Sequence, residues 1–284
     1  MASKAHYSLA GWLLGALVVV PALTLPEVAR ASPVATGFDA TQITACDDCY
    51  TGAVNLGFSA DFFGTTYTQA YVSNNGYLTF NSGQGTYTPT GLTASYSGQP
   101  IIAPFYGDVD TRGAGSGLTA YGTGTYAGHS AFGATWPLVG YYSSHADKLN
   151  TFQVILVNRS DTGVGNFDIY FNYTQIQWET GDVSGGANGL GGTSAAVGYA
   201  NGSGAAGTYG QIAGSLVPGT FLDSGTAPLI TTTNDGVPGQ LLFQVRNGGV
   251  APPPTGVPEP GAVVVLATAL AALGAVRFGA SSRR

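Results

Sequence analysis

Along the middle of the chain, apolar and polar positions alternate with a period of two, in short runs separated by clusters of Gly, Ser, Thr and Asn. That pattern predicts β-strands joined by turns. Phe152, Val154 and Leu156 fall on one face of a run over residues 150–156. Phe167, Ile169, Phe171 and Tyr173 fall on one face of a second run, and the Asn-, Asp- and Gly-rich stretch between them predicts a long hairpin. A shorter hairpin is predicted over Tyr71–Phe80, turning at Asn75-Gly76. A two-residue type I′ turn needs positive φ at both central positions, which Asn tolerates and Gly adopts freely. That turn sets Asn74 opposite Tyr77 and Val72 opposite Thr79, with Tyr71, Leu78 and Phe80 on one face and Val72 and Tyr77 on the other.

The apolar run over residues 100–106 carries Pro100 and Pro104. Proline cannot donate to a ladder, so the run is expected at a sheet edge, at a bulge, or crossing between sheets. From Gly181 to Gly219 glycine dominates, and a long mobile surface loop around one strand is expected. Together these features predict an all-β fold, an antiparallel β-sandwich-like domain with long Gly-rich loops.

Both ends of the chain depart from this pattern. Lys4 and His6 precede an apolar run from Leu9 to Val20, and Ala29-Arg30-Ala31 supplies a small-x-small cleavage site before Ser32. That is the layout of a secretory signal peptide. At the other end, a Gly/Pro-rich linker leads to Pro258-Glu259-Pro260, a run without formal charge from Gly261 to Val276, and the basic residues Arg277, Arg283 and Arg284. As a helix that run spans about 24 Å, thin for a permanent anchor and adequate for a transient one. The expected layout is a leader over 1–31, a β domain over 32–247, a linker over 248–257 and a C-terminal signal over 258–284.

Charge narrows the function further. Without the two end segments, four cations (Arg112, Lys148, Arg159 and Arg246) face thirteen acids, a net charge of −9. Nucleic-acid binding needs clustered Lys and Arg, so it is excluded. Charged residues make up 8% of the 284-residue chain, which suits an exported β protein solvated by hydroxyls and amides. In that setting the two cysteines, in Cys46-Asp47-Asp48-Cys49, are expected to form one local disulfide.

Candidate chemistry is sparse. His129 and His145 read as loop residues outside any triad or metal motif, so no catalytic residue is assigned and the chain reads as a non-enzyme. Asp108 and Asp110 sit two apart at a strand end, where both carboxylates could reach one Ca²⁺. The competing reading is that Asp110 and Thr111 cap a turn. Trp136, Tyr141, Tyr142 and Trp178 are candidates for gripping extracellular polysaccharide through exposed ring faces.

Several ordered blocks carry a family resemblance. Phe62-Phe63-Gly64, the Tyr71–Phe80 hairpin, Pro100 to Thr111 (PIIAPFYGDVDT) and Ile176 to Gly181 (IQWETG) together resemble the nidogen-type extracellular (NIDO) domain. The resemblance spans about residues 55–246, with Tyr106-Gly107 where Trp-Ala is commoner. It implies an extracellular adhesive or structural role, with matrix proteins or polysaccharide as partners. The tail resembles the PEP-CTERM sorting signal. That resemblance implies cleavage near Pro258-Glu259-Pro260 by an exosortase-type membrane protease, and delivery to the surface or biofilm matrix of a Gram-negative bacterium.

Overall fold

A computed structural model describes residues 33–251. The leader with Ala31, the linker beyond Ala251, Pro258-Glu259-Pro260 and the apolar run therefore lie outside the described residues. In chain order the strands are β1 (Thr41–Gln42), β2 (Val54–Phe62), β3 (Thr65–Ser73), β4 (Tyr77–Thr79), β5 (Ile101–Tyr106), β6 (Ala120–Tyr126) and β7 (His129–Tyr141). They continue as β8 (His145–Asn158), β9 (Phe167–Gln175), β10 (Ala196–Ala200), β11 (Tyr209–Gln211), β12 (Gln240–Arg246) and β13 (Gly249–Val250). Among the described residues the only helical element is one 3₁₀ turn, Asp182–Ser184, and no helix is long and apolar enough to cross a membrane.

The strands form two antiparallel sheets in a sandwich-like arrangement, as the alternation predicts. One sheet has the order β1-β6-β7-β8-β9-β12-β13, the other β11-β10-β5-β4-β3-β2. The predicted long hairpin is β8–β9, with Val154 opposite Phe171 and Leu156 opposite Ile169. Its alternating face, Phe152, Val154, Leu156, Phe167, Ile169, Phe171 and Tyr173, is fully buried in the main core. There it meets Leu56, Phe62, Val72, Leu78, Ile102 and Phe105 of the other sheet. Each such side chain contributes about 1.5–3 kcal/mol on burial. The opposite face is covered too: Ile155 and Val157 pack with Phe38, and the amide of Gln153 exchanges hydrogen bonds with the backbone of Ala35 at 3.0 and 2.8 Å.

The short hairpin forms, but in a different register. Ser73 pairs with Tyr77, Val72 with Leu78 and Tyr71 with Thr79, so the connection is Asn74-Asn75-Gly76. Only Gly76 in it takes a positive φ, +82°. This is a longer hairpin loop with glycine in the left-handed position. The slip moves Val72 onto the core face with Leu78 and Phe80, and it removes Tyr71 from that face. The physical cause is that both asparagine side chains are engaged elsewhere. Gly76 also has no room for a side chain, since a Cβ there would meet the carbonyl oxygen of Phe105 at 1.8 Å.

One of the three readings of the proline-marked run holds, and the strand count of the Gly-rich stretch is corrected. The proline-marked run is β5, which lies inside its sheet between β4 and β10 rather than at an edge. Pro104 is tolerated because the β5–β10 register shifts beside it, between the Ala196–Tyr106 and Gly198–Ala103 pairs, so the bulge reading holds. The stretch from 181 to 219 carries two strands, β10 and β11, rather than one. It is pinned by Glu179, whose buried carboxylate accepts from the backbone N–H groups of Gly219 and Phe221 and from the Ser194 hydroxyl.

Candidate functional site

Cys46 and Cys49 are bonded to each other, as expected for an exported chain, and close a four-residue loop that includes Asp47 and Asp48. So short a loop contributes only about 2 kcal/mol through chain entropy. Its placement comes from the Asn74-Asn75-Gly76 turn. Asn74 Nδ2 donates to the carbonyls of Asp47 (2.7 Å), Cys46 (3.3 Å) and Val109 (2.8 Å). Asn75 Nδ2 donates to Asp48 Oδ1 at 2.8 Å, while its Oδ1 accepts from the Val109 N–H at 3.0 Å. Two adjacent amides thus tie the cysteine loop to the segment that follows β5.

That segment brings in Asp108. Its residues are held by the β7–β8 turn: the N–H of Tyr142 donates to the Asp108 carbonyl, and that of Asp110 to the Gly140 carbonyl. The result is a cavity of about 140 Å³ lined by Asp47, Asp48, Tyr87, Asp108, Tyr142 and Val183. Each of the three acids offers a carboxylate oxygen within 4.8 Å of the other two. Asp108 is 2% exposed.

The electrostatics follow from crowding and burial. Burial, then the neighbouring carboxylates of Asp47, Asp48, Asp110 and Asp182, push Asp108 up to about 7. Burial and Asp48 push Asp47 up to about 6, against the opposing pull of Arg112. Asp48 is raised by burial as well. With divalent ions chelated, the folded chain therefore keeps a proton on Asp108 over a window where the unfolded chain, titrating near 3.8, has lost it. The folded state binds more protons there, so this contribution to stability is present below about pH 4 and is lost as pH rises through about 7. In chelator, the melting temperature of wild type relative to Asp108→Asn should fall between pH 5 and pH 8. A constant difference across that range would contradict the assignment.

Asp110 does not join this group. Its carboxylate accepts from the backbone N–H, Nε and Nη2 of Arg112 and from the N–H of Ser144. Despite its burial, those donors hold it below the ordinary carboxylate range. It caps the turn, the competing reading of the Asp108/Asp110 pair, and the partners of Asp108 are instead Asp47 and Asp48. The signal for them was present in the sequence: two adjacent acids inside a disulfide loop, in a chain with few charges.

The aromatic candidates are corrected more sharply. Trp136, Tyr141 and Trp178 are 0%, 1% and 0% exposed. Trp136 donates its indole N–H to the Asn74 carbonyl at 2.9 Å and stacks on Phe152. Trp178 donates to the Val139 carbonyl at 3.0 Å, and the Tyr141 hydroxyl donates to Asp147 at 3.0 Å. They carry no exposed face for a sugar. Only Tyr142 is partly exposed, at the rim of the acidic cavity beside Arg112. His129 and His145 also depart from expectation, since they start β7 and β8 rather than lying in loops. His145 Nε2 lies 2.9 Å from Asp182 Oδ2, and no hydrogen bond joins the ring to a serine or threonine hydroxyl among the described residues.

The cations among the described residues are used within the fold. Arg159 and Arg246 reach the buried Asp168 at 2.8 and 2.6 Å, Arg112 serves Asp110 and Asp47, and Lys148 pairs with Asp147.

Comparison with known proteins adds the family. The chain is 31% identical to human alpha-tectorin over 238 residues, 75% of this chain and 10% of that protein. It is 30% identical to chicken alpha-tectorin over 234 residues, with the same coverage. It is 30% identical to Drosophila melanogaster nidogen over 206 residues, 65% of this chain and 14% of that protein. The chain thus spans only about a tenth of the length of the alpha-tectorins it matches. No solved structure matches it. The NIDO-related family model matches residues 29–234, from before the cysteine loop to beyond β11, and the chain belongs to that family.

Proposed function

We propose that this chain is an exported protein with an adhesive or structural role at the cell surface or in biofilm matrix. Membership of the NIDO-related family is the observation that carries this reading. The disulfide supports an oxidising location. All four cations among the described residues pair with carboxylates, so those residues form no basic patch for a polyanion. The carbohydrate-binding alternative has lost three of its four aromatic candidates to the core, so matrix proteins are the favoured partners. Glycan arrays test this choice: selective binding to a polysaccharide would restore the alternative.

Processing at Pro258-Glu259-Pro260 by an exosortase-type protease belongs to the same proposal. The Gly/Pro-rich linker sequence, the uncharged run from Gly261 to Val276 and the terminal arginines support this reading. Fractionation with mass spectrometry of both termini tests it. Wild type should leave the inner membrane without peptides from Ala262 onward, and Glu259→Ala should accumulate at full length in the membrane fraction. Equal release of the two proteins would refute processing at this motif, and recovery of wild type in the cytoplasm would refute export.

A further inference from the structure

We propose that Asp47, Asp48 and Asp108 together hold a hard divalent cation of calcium's size. Each of the three carboxylates has an oxygen to give. Asp48 spends Oδ1 on the Asn75 amide, and Asp47 spends Oδ2 on Arg112. Asp47 Oδ1 and Asp108 Oδ2 are both buried, and neither has a hydrogen-bond partner among the described residues. Asp108 carries the inference. A carboxylate 2% exposed, unpartnered and lining a cavity is costly to keep unless something in that cavity meets it.

Among the described residues nothing is placed to do so: Arg112 is the one guanidinium nearby, and it is shared between Asp110 and Asp47. Four carboxylates thus face one fixed positive charge, and the deficit is concentrated at Asp48 and Asp108. The spacing suits one ion. Ligand oxygens within 4.8 Å of one another match calcium–oxygen distances of about 2.3–2.6 Å, whereas magnesium demands tighter octahedral closure at about 2.0–2.1 Å. Room beside the carboxylate is provided by Gly181, where a Cβ would lie 2.3 Å from Asp108 Oδ2. Three carboxylates leave the other coordination positions to water in the cavity. Such a ligand count points to the weak affinity of extracellular modules, about 10⁻⁴–10⁻³ M.

The test is thermal unfolding of the full-length protein, stripped with chelator and titrated with CaCl₂ or MgCl₂ at constant ionic strength. Calcium should raise the melting temperature saturably, by about 3 °C or more at 10 mM, and magnesium by less. Asp108→Asn and Asp48→Asn should each weaken the apparent calcium affinity at least tenfold. Asp110→Asn should start from a lower melting temperature and keep the calcium response, which separates this site from an Asp108/Asp110 pair. Should Asp108→Asn fail to fold, the partly exposed Asp48→Asn decides, together with sensitised terbium luminescence and its displacement by calcium. The absence of a saturable calcium response, an equal response to magnesium, or an unchanged affinity in Asp48→Asn would overturn the proposal.

Discussion

Trp178→Ala is expected to lower stability by about 4–6 kcal/mol, enough to shift the melting temperature by about 10 °C or more. Removal of a buried tryptophan costs about 3–5 kcal/mol through lost contacts and the cavity left behind. Here the indole is fully buried, stands edge-on to Phe105 at 5.5 Å and packs against Tyr141. Its N–H is also the partner of the Val139 carbonyl, which sits where the β7–β8 register shifts and has lost regular ladder pairing. Tyr142→Ala, at a partly exposed ring, should change stability by less than about 1 kcal/mol. Urea unfolding of the two variants decides between core and surface roles. A Trp178→Ala protein with an unchanged midpoint would show that the ring is not the core residue described.

Asn74→Ala is the second large effect, expected near 3 kcal/mol. One side chain there serves four groups: the carbonyls of Cys46, Asp47 and Val109, and the hydroxyl of Thr119, which donates to Asn74 Oδ1 at 2.9 Å. Alanine leaves the Asp47 and Val109 carbonyls and the Thr119 hydroxyl without this partner, while the Cys46 carbonyl keeps the N–H and hydroxyl of Thr111, and each buried unsatisfied group costs about 1–3 kcal/mol. Asn74→Asp should be no better. It would turn a carboxylate toward three carbonyl oxygens and add a charge beside the acidic cavity. Hydrogen exchange would localise the damage, with protection lost first at the Thr111 N–H, which donates to the Cys46 carbonyl. A midpoint within about 0.5 kcal/mol of wild type would mean that the asparagine does not anchor the cysteine loop.

These two residues mark the boundary of what could be read from the chain alone. Trp178 and Trp136 looked like candidates for a sugar platform because an aromatic residue in an exported β protein suits a core and a binding face equally well. Which it does depends on what the facing sheet presents. For Trp178 the answer is Phe105 of β5, and for Trp136 it is Phe152, its neighbour on the adjacent strand β8, together with the core they enter. The Asn75-Gly76 pair correctly announced a hairpin, and its register was still off by one. The local preference for a two-residue turn lost to hydrogen bonds that Asn74 and Asn75 make with residues 27 or 28 positions earlier and 34 or 35 positions later.

The all-β class, the β8–β9 hairpin with its inward face, the bulge at Pro104 and the local disulfide were legible because their signals are local. Side-chain alternation, a missing N–H and a cysteine three positions from its partner act within a few residues. The acidic cavity has such a signal only for Asp47 and Asp48, adjacent inside the cysteine loop, and none that joins them to Asp108. It forms where the cysteine loop, the segment after β5 and the Gly181 turn converge, and its character follows from which carboxylates find a partner there. Asp110 finds Arg112 two residues on, while Asp108 finds none. Burial and through-space charge make that difference, and both arise only once distant segments are brought together.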